Sequence, residues 1–226
     1  MICFLGDSHA ANTLREAARQ KGLALTEIPS DADLIFVSQD TPTDERGARD
    51  LEPIRAMVYH AEGFGKPIVL TSAVPIGFTR SLGIKHIWHM AETLRIKDAM
   101  ERALYPEQFI VGVADMADPW VPKPFSNYME AFKGTSYDDW DPWIEAVTYE
   151  EAEYAKIAIN VHLAHQVHVA NQLAAKASVL GCDWERIKAI LQNDKRIGPH
   201  AYLDPGDPLA SRHILRDWRT FHGGSA

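Results

Sequence analysis

The sequence predicts an α/β protein, a parallel-sheet domain followed by a helical region built on one long helix. Three observations carry this. Short apolar runs alternate with amphipathic stretches up to about Val113, the pattern of parallel strands joined through helices. From Ala114 the composition changes to Pro, Asp, Trp and Gly. Finally, Thr148-Tyr-Glu-Glu151 has the spacing of a capping box and opens an alanine-rich stretch that runs to about Leu180 and stops at Gly181.

In chain order, Ile2–Leu5 reads as a buried strand, and Ala10–Gln20 as a helix with Leu14, Ala17 and Ala18 on one face before Gly22 stops it. Leu23–Glu27 reads as a second short strand, Asp33–Ser38 as a third, Leu51–Glu62 as an amphipathic helix and Pro67–Thr71 as a buried strand ending at Ser72. Ile84–Trp88, a helix through Glu92–Ala103, and Phe109–Val113 continue the alternation, so the sheet is expected to end near Val113. Too few residues separate Glu27 from Asp33 for a helical crossover, which takes a dozen or more. Either the second strand is very short and returns by an extended loop, or this half of the domain is reduced. The expected division is 1–114 for the sheet domain, 115–147 for an irregular connection with a short helix at Asn127–Phe132, and 148–226 for the helical region. There a second helix, Asp183–Asn193, has Asp183 as its N-cap, and the chain turns irregular after Asp194-Lys-Arg-Ile-Gly198.

With 46% hydrophobic and 24% charged residues, a chain of 226 residues can bury a sizeable core. A net charge of −8 argues against nucleic-acid or anionic-lipid partners. No apolar run reaches the roughly 18 residues of a membrane span, and no basic segment precedes the first strand, so a cytoplasmic protein is expected. Cys3 and Cys182 fit neither a disulfide framework nor a zinc site and read as packing residues. His162, His165 and His168 drift around the long helix and suit a helix-face or dimer-contact role better than a metal site. Ile157, Val161, Ala164 and Val167–Val169 would leave a large apolar face on a monomer, so a homodimer is expected.

The first turn reads Gly6-Asp-Ser8-His-Ala-Ala11 where a dinucleotide fingerprint would read G-x-G-x-x-G. Gly6 keeps the tight turn and Ala11 is small enough for the third position. Ser8 takes the second, where a Cβ would push a pyrophosphate away while its hydroxyl bonds it at the helix N-terminus. Glu27, about 20 residues on, stands where an acid meets ribose hydroxyls and favours NAD over NADP. A worn dinucleotide turn and a nucleotide-free strand–turn–helix both remain open at this point. So do two readings of Lys156 and Asn160, whose spacing puts both side chains on one helix face: a reactive pair, or a solvated lysine and a polar asparagine.

Several motifs occur in one order. "ADLIFVSQDTPTDERGARDLEPI" resembles the strand–Thr-Pro–Asp-Leu segment of the UDP-glucose/GDP-mannose dehydrogenase family, and "VLTSAVPIGFTR" resembles its Ser-Thr-Val-Pro-x-Gly-Thr segment. "ETLRIKDAMERALYPEQFIVG" is similar to the family's Pro-Glu stretch and the strand that follows it. "EEAEYAKIAINVHLAHQVHVANQLAAKASVLGCDWERIKAILQNDKRIGPHAYLDPG" resembles the A-E-x-x-K-x-x-x-N helix, its continuation, the G-x-D helix and the D-x-R-I-G segment. The matches run from Ala32 to Asp217.

The resemblance implies a Rossmann-like NAD-binding domain, a central helical dimerisation region, and oxidation of a nucleotide-linked sugar alcohol; the family's C-terminal domain is expected to be lacking here. Carried over by position, Lys156 polarises the substrate oxygen and Asn160 positions it. Glu92 takes the place of the glutamate associated with the catalytic water, with a first-turn helix carboxylate as the alternative. Thr41, Pro42 and Ser72, with Gly6, Ser8 and Glu27, line the cofactor, and Arg95 and Arg196 contact substrate. Asp217 matches the aspartate that ends the family's Cys-Phe-Pro-Lys-Asp motif, which puts His213 at the position of the nucleophilic cysteine. A thioester needs a thiolate, so the expected activity stops at one hydride transfer. The alternative is a dimeric nucleotide-binding or regulatory relative without turnover, and a partner chain supplying the missing domain is a third possibility.

Overall fold

The computed structural model describes residues 1–44, 48–133 and 142–223. It divides into two compact units. The first comprises Met1–Asp44 and Arg49–Lys156, and the second is built from Ile157 onward. This boundary falls inside the long helix, nine residues past the expected one at 148.

The first unit is a six-stranded sheet in the order β1 (Ile2–Leu5), β2 (Leu34–Val37), β3 (Ile68–Leu70), β4 (Ile87–Ala91), β5 (Gln108–Val113) and β6 (Trp143–Thr148). The first four strands are parallel, with Ile2 opposite Leu34, Ile35 opposite Ile68 and Ile68 opposite Ile87. The expected Leu23–Glu27 strand reduces to one parallel bridge, Leu25 to Ile2. Ile2 N donates to Ala24 O and Thr26 N to Ile2 O, and the chain then leaves through a short 3₁₀ turn at Pro29–Asp31, having no room for a crossover helix.

β5 runs antiparallel to β4, which departs from the all-parallel expectation. Only a 3₁₀ turn and the six-residue helix α4 (Ala99–Leu104) join them. The chain therefore re-enters the sheet at the end where β4 left it, pairing Ala91 with Ile110. β6, inside the expected irregular connection, pairs with β5 in parallel along its whole length. Its alternating Trp-Ile-Glu-Ala-Val-Thr pattern is half exposed, so it lacks the apolar run that marked the other strands. The connection also holds α5 (Lys123–Glu130), which starts four residues before the expected helix because Pro124 fits its first turn.

Period-two alternation gives the sheet two apolar faces. Ile2, Phe4, Leu34, Phe36, Trp88 and Met90 face α1 (His9–Gln20), α4 and α5, with Phe4 and Phe36 stacked at 4.8 Å. Cys3, Ile35, Val37, Ile68, Leu70 and Ile87 face α2 (Glu52–Glu62) and the short helix α3 (Phe78–Ser81). Cys3 is thus a packing residue, whereas Cys182 is exposed, contrary to expectation, because it lies past the glycine that ends the long helix.

That helix is α6 (Tyr149–Val179). Its capping box is formed: Thr148 N and Oγ1 both donate to Glu151 Oε2 at 2.8 Å, and Glu151 N returns a bond to Thr148 Oγ1 at 3.3 Å. Gly181, at φ +69°, ends it, and Cys182 N donates to Ala177 O at 2.9 Å. In the second unit α7 (Trp184–Asn193) is capped by Asp183, which accepts from Glu185 N at 3.0 Å. The chain after Gly198 is not wholly irregular as expected. Asn171 holds Gly206 by a reciprocal amide pair at 2.7 and 2.8 Å, Gln166 accepts from Tyr202 N at 2.9 Å, and α8 (Arg212–Phe221) follows. Ile157, Val161 and Ala164, expected as an exposed apolar face, are buried within the chain. Among the described residues no helix is long and apolar enough to cross a membrane.

Candidate active site

The parallel strands β1, β2 and β3 end at one edge, and short polar side chains stitch their outgoing loops together. Gly6 has φ +108°, and a Cβ on it would lie 2.0 Å from Ser38 O, so the turn after β1 admits only glycine. Ser8 caps α1, accepting from Ala11 N at 3.0 Å, and its hydroxyl donates to Ser38 O at 3.1 Å. It is buried and turned toward the end of β2. This corrects the expected role: the hydroxyl is spent inside the fold, and its Cβ does not crowd the outer side of the turn. Ser72 Oγ accepts from Gln39 N at 2.8 Å, while Thr41 Oγ1 at 3.3 Å and Arg49 at 3.1 Å both donate to Ala73 O. Pro42 O accepts from Asp50 N at 2.8 Å. The edge thus brings together Gly6, Ser8, Thr41, Pro42 and Ser72, whereas Glu27 is exposed beyond the single bridge at Leu25.

Beside this edge lies a small cleft of about 210 Å³, lined by Ser72, Ala73, His89, Glu92, Glu153 and Lys156 among others. Lys156 reaches it from the start of α6. That helix can approach the sheet because Gly112 lies beneath it; a Cβ there would sit 3.1 Å from the Cβ atoms of both Ala152 and His89. Glu92 is not in a helix. It follows β4 in a loop, where its carboxylate accepts from Leu94 N, and it stands between the cleft and a larger hollow of about 500 Å³ on the other side of β4, lined by Leu14, Met90, Phe109 and Tyr128. The loop arises because Ala91 extends the strand past the expected end at Trp88.

Two charged or titratable residues of the cleft wall, Glu153 and His89, were not singled out from the sequence. Glu153 is buried, and its carboxylate accepts from Gly77 N at 2.5 Å and Thr79 N at 2.8 Å. Burial raises its pKa, opposed by hydrogen bonds from Thr79 and Gly77. His89, buried in β4, has Nδ1 3.4 Å from Thr79 Oγ1, and burial lowers its pKa to about 4. A glutamate in A-E-x-x-K and a histidine inside the apolar run Ile-Trp-His-Met-Ala were the available signals. One residue after Thr79, Arg80 forms a bidentate pair with Glu150 at 2.5 and 2.9 Å, which lowers the Glu150 pKa.

In the second unit Asn160 Nδ2 donates to Asp217 Oδ2 at 2.6 Å, and Arg216 Nε donates to Asp217 Oδ1 at 3.0 Å; Asp217 is fully buried. His213, on the same helix α8, is exposed. Arg196 is exposed and paired with Asp194 at 2.7 Å, and Arg95 pairs with Asp98. His165 packs on Trp218 with ring centroids 4.8 Å apart, while His162 and His168 each hydrogen-bond a glutamine one turn on.

The expected NAD can be tested against the turn itself. Gly6 at the tight turn and a helix start capped at Ala11 N by Ser8 fit a dinucleotide phosphate, although Asp7 N of the turn is already bonded to Gln39 Oε1 at 3.4 Å.

A profile of the UDP-glucose/GDP-mannose dehydrogenase family, central domain, matches residues 150–222. The UDP-glucose 6-dehydrogenase of Streptococcus pneumoniae is 32% identical over 142 residues, 61% of this chain and 35% of that protein. The Pseudomonas aeruginosa enzyme of the same name is 25% identical over 198 residues, 78% of this chain and 41% of its own. The chain thus spans less than half the length of these curated relatives. A UDP-glucose dehydrogenase structure from the archaeon Pyrobaculum islandicum superposes with a TM-score of 0.72 at 21% identity, covering 97% of this chain and 62% of that one. With the family's central-domain profile on α6 to α8 and the fold of a solved dehydrogenase over nearly its whole length, this chain is similar to part of the UDP-glucose/GDP-mannose dehydrogenases.

Proposed function

We propose that the chain is an NAD-dependent oxidoreductase acting on a sugar alcohol of a nucleotide-sugar, and that it carries out one hydride transfer and stops at the aldehyde. The observation that supports this best is the meeting of Lys156, Ser72 and Glu92 in one cleft at the carboxyl edge of the parallel strands, where ligands of open α/β sheets bind. NAD, when bound, would supply the hydride acceptor. Gly6, Ser8, Thr41, Pro42 and Ser72 shape its seat, and Glu27 would meet the ribose. Lys156 then polarises the alcohol oxygen, with Asn160 one helical turn further on and Asp217 bonded to it as its support. Glu92 borders the cleft as the residue nearest the family's water-activating position. Arg95 and Arg196 are the proposed substrate contacts. His213 stands where the family has its cysteine, so no thioester forms.

A homodimer goes with this reading. Val169, Leu173 and Val179 of α6, Leu180 just after it and Ile190 of α7 are exposed, an apolar set shifted toward the carboxyl half of α6 from the expected one. Sedimentation at micromolar concentration should give a dimer; a monomer there would overturn it.

A second reading is a relative that binds without turnover. It draws on the pairing of Asp217 with Asn160 and Arg216, of Arg95 with Asp98 and of Arg196 with Asp194, which commits much of the expected substrate machinery internally. One experiment separates the two. Calorimetric titration with NAD and NADH, followed by NADH absorbance on a panel of nucleotide-sugars, should give binding and turnover that Lys156→Ala abolishes. Binding with no NADH from any sugar would favour the second reading, and no binding of either cofactor form would overturn both.

A further inference from the structure

We propose that the hollow on the α1, α4 and α5 side of β4 is a binding site for a neutral, ring-sized, mainly apolar molecule, held by a hydrogen bond from the Tyr128 hydroxyl to a carbonyl oxygen of that molecule. Its occupant is neither the cofactor nor the substrate of the oxidoreductase reading.

At about 500 Å³ the hollow has the size of a small-molecule pocket. Leu14 of α1, Met90 of β4, Ala103 of α4 and Phe109 of β5 give it an apolar floor. Tyr128 of α5 is the one buried polar side chain in this lining among the described residues, at 1% exposure. Its ring is fixed from three sides, with centroids 4.6 Å from Phe36, 5.1 Å from Phe132 and 6.3 Å from Phe109. A phenylalanine would serve that cluster of rings equally well, so packing does not account for the hydroxyl. Among the described residues nothing hydrogen-bonds it. Yet the oxygen is not sealed into the core: the trace of surface that Tyr128 keeps lies at the hydroxyl, which opens on the hollow that the residue lines. Leaving a buried hydroxyl without a partner is costly, and buried polar groups nearly always have one. A ligand in the hollow supplies it.

The chemistry of the lining narrows the ligand. Burial raises the Tyr128 pKa, so the phenol stays neutral, and it is the better donor than acceptor because its oxygen lone pair is drawn into the ring. The atom it meets is therefore an acceptor. A sugar does not fit, since each of its hydroxyls would need a partner against Leu14, Met90 and Phe109. An anion is disfavoured as well. Glu92 and Glu107 stand in the lining, and Arg102, its one cation among the described residues, is held by Glu107 at 3.3 Å. What fits is a neutral ring with one carbonyl. Ala91 and Glu92 belong both to this hollow and to the cleft that holds Lys156, so the two sites share a wall at the end of β4.

The test titrates the full chain with acetophenone and with ethylbenzene, in which a methylene replaces the carbonyl. Binding is read from the carbon-13 methyl resonance of Met90 in methionine-labelled protein. Both probes should shift Met90, and Ala103→Leu, which fills the floor, should weaken both. Tyr128→Phe should lower acetophenone affinity about tenfold, the cost of leaving the buried carbonyl unpaired, and leave ethylbenzene affinity unchanged. In the wild type the carbonyl carbon of labelled acetophenone should move downfield on binding, which reads the hydrogen bond without any variant. Benzoate, the same ring as an anion, should bind less well than acetophenone. A Met90 resonance that no probe moves would overturn the site, leaving the hydroxyl to a water molecule. An unmoved carbonyl carbon, or equal losses of acetophenone and ethylbenzene in Tyr128→Phe, would overturn the role of the hydroxyl, and a preference for benzoate would overturn the neutral ligand.

Discussion

Asn160 and Asp217 lie 57 positions apart in sequence and meet at 2.6 Å, Asn160 Nδ2 donating to a carboxylate that is fully buried and also paired with Arg216. The contact makes Asp217 a structural anchor of the helical unit before it is anything else. Removing one partner of a buried ion pair strands the other charge, so Asp217→Ala should destabilise the chain by about 3–5 kcal/mol. Asn160→Ala removes one donor and should cost about 1–3 kcal/mol. Urea unfolding measures both. Equal and small effects would mean that the carboxylate is solvated in solution and free for substrate.

Gly6 offers a second case in which a motif position is explained by packing. Alanine there would carry φ +108° and place its Cβ 2.0 Å from the Ser38 carbonyl oxygen. Neither can relax without moving β1 or β2, so Gly6→Ala should cost on the order of 3 kcal/mol. The loss should appear as a lower Tm in the absence of any nucleotide. If Gly6→Ala kept the wild-type Tm and lost only NAD affinity, the glycine would be there for the cofactor.

These two positions also show what the sequence could and could not disclose. Strands whose residues are apolar on both faces, such as Leu-Ile-Phe-Val at 34–37, were plain, and so was the Thr148–Glu151 capping box, since both signals are local. β6 was hidden because an edge strand is half exposed and carries no apolar run. The reversal of β5 was hidden because direction depends on where α4 docks and not on the strand itself. In the site, Lys156 and Ser72 were legible through motif spacing. His89 and Glu153 were not, because their chemistry comes from burial against Thr79, 10 and 74 residues away, which no local window contains.

Burial of His89 has a measurable acid signature. Its folded pKa of about 4 lies below the ordinary value of 6.5, so the unfolded chain binds the extra proton first. The stability this group contributes is present above pH 6.5 and is lost as pH falls toward 4, amounting to about 3 kcal/mol over that window. Glu153, whose pKa burial raises, works in the opposite sense. The difference between wild type and His89→Phe therefore isolates the histidine. The wild type should lose stability between pH 6.5 and 4 more steeply than the variant. Parallel curves would mean that His89 is solvated and titrates normally.

Ser8 decides how the turn meets a dinucleotide. Its hydroxyl is committed to Ala11 N and Ser38, and its Cβ faces inward, so a phosphate would be held by backbone alone. Ser8→Ala removes the cap and should cost about 1 kcal/mol of stability, while Ser8→Gly should cost only a few tenths for the cap together with the lost bonds to Ser38. Neither should weaken NAD, because neither touches the outer side of the turn. A hydroxyl that contacted the pyrophosphate would behave differently: both variants would lose affinity together, independently of their stabilities. A Cβ that crowded it would make Ser8→Gly bind more tightly than wild type. Calorimetric titration of the three proteins with NAD at one pH and salt concentration distinguishes these outcomes, and equal affinities with unequal Tm values are expected.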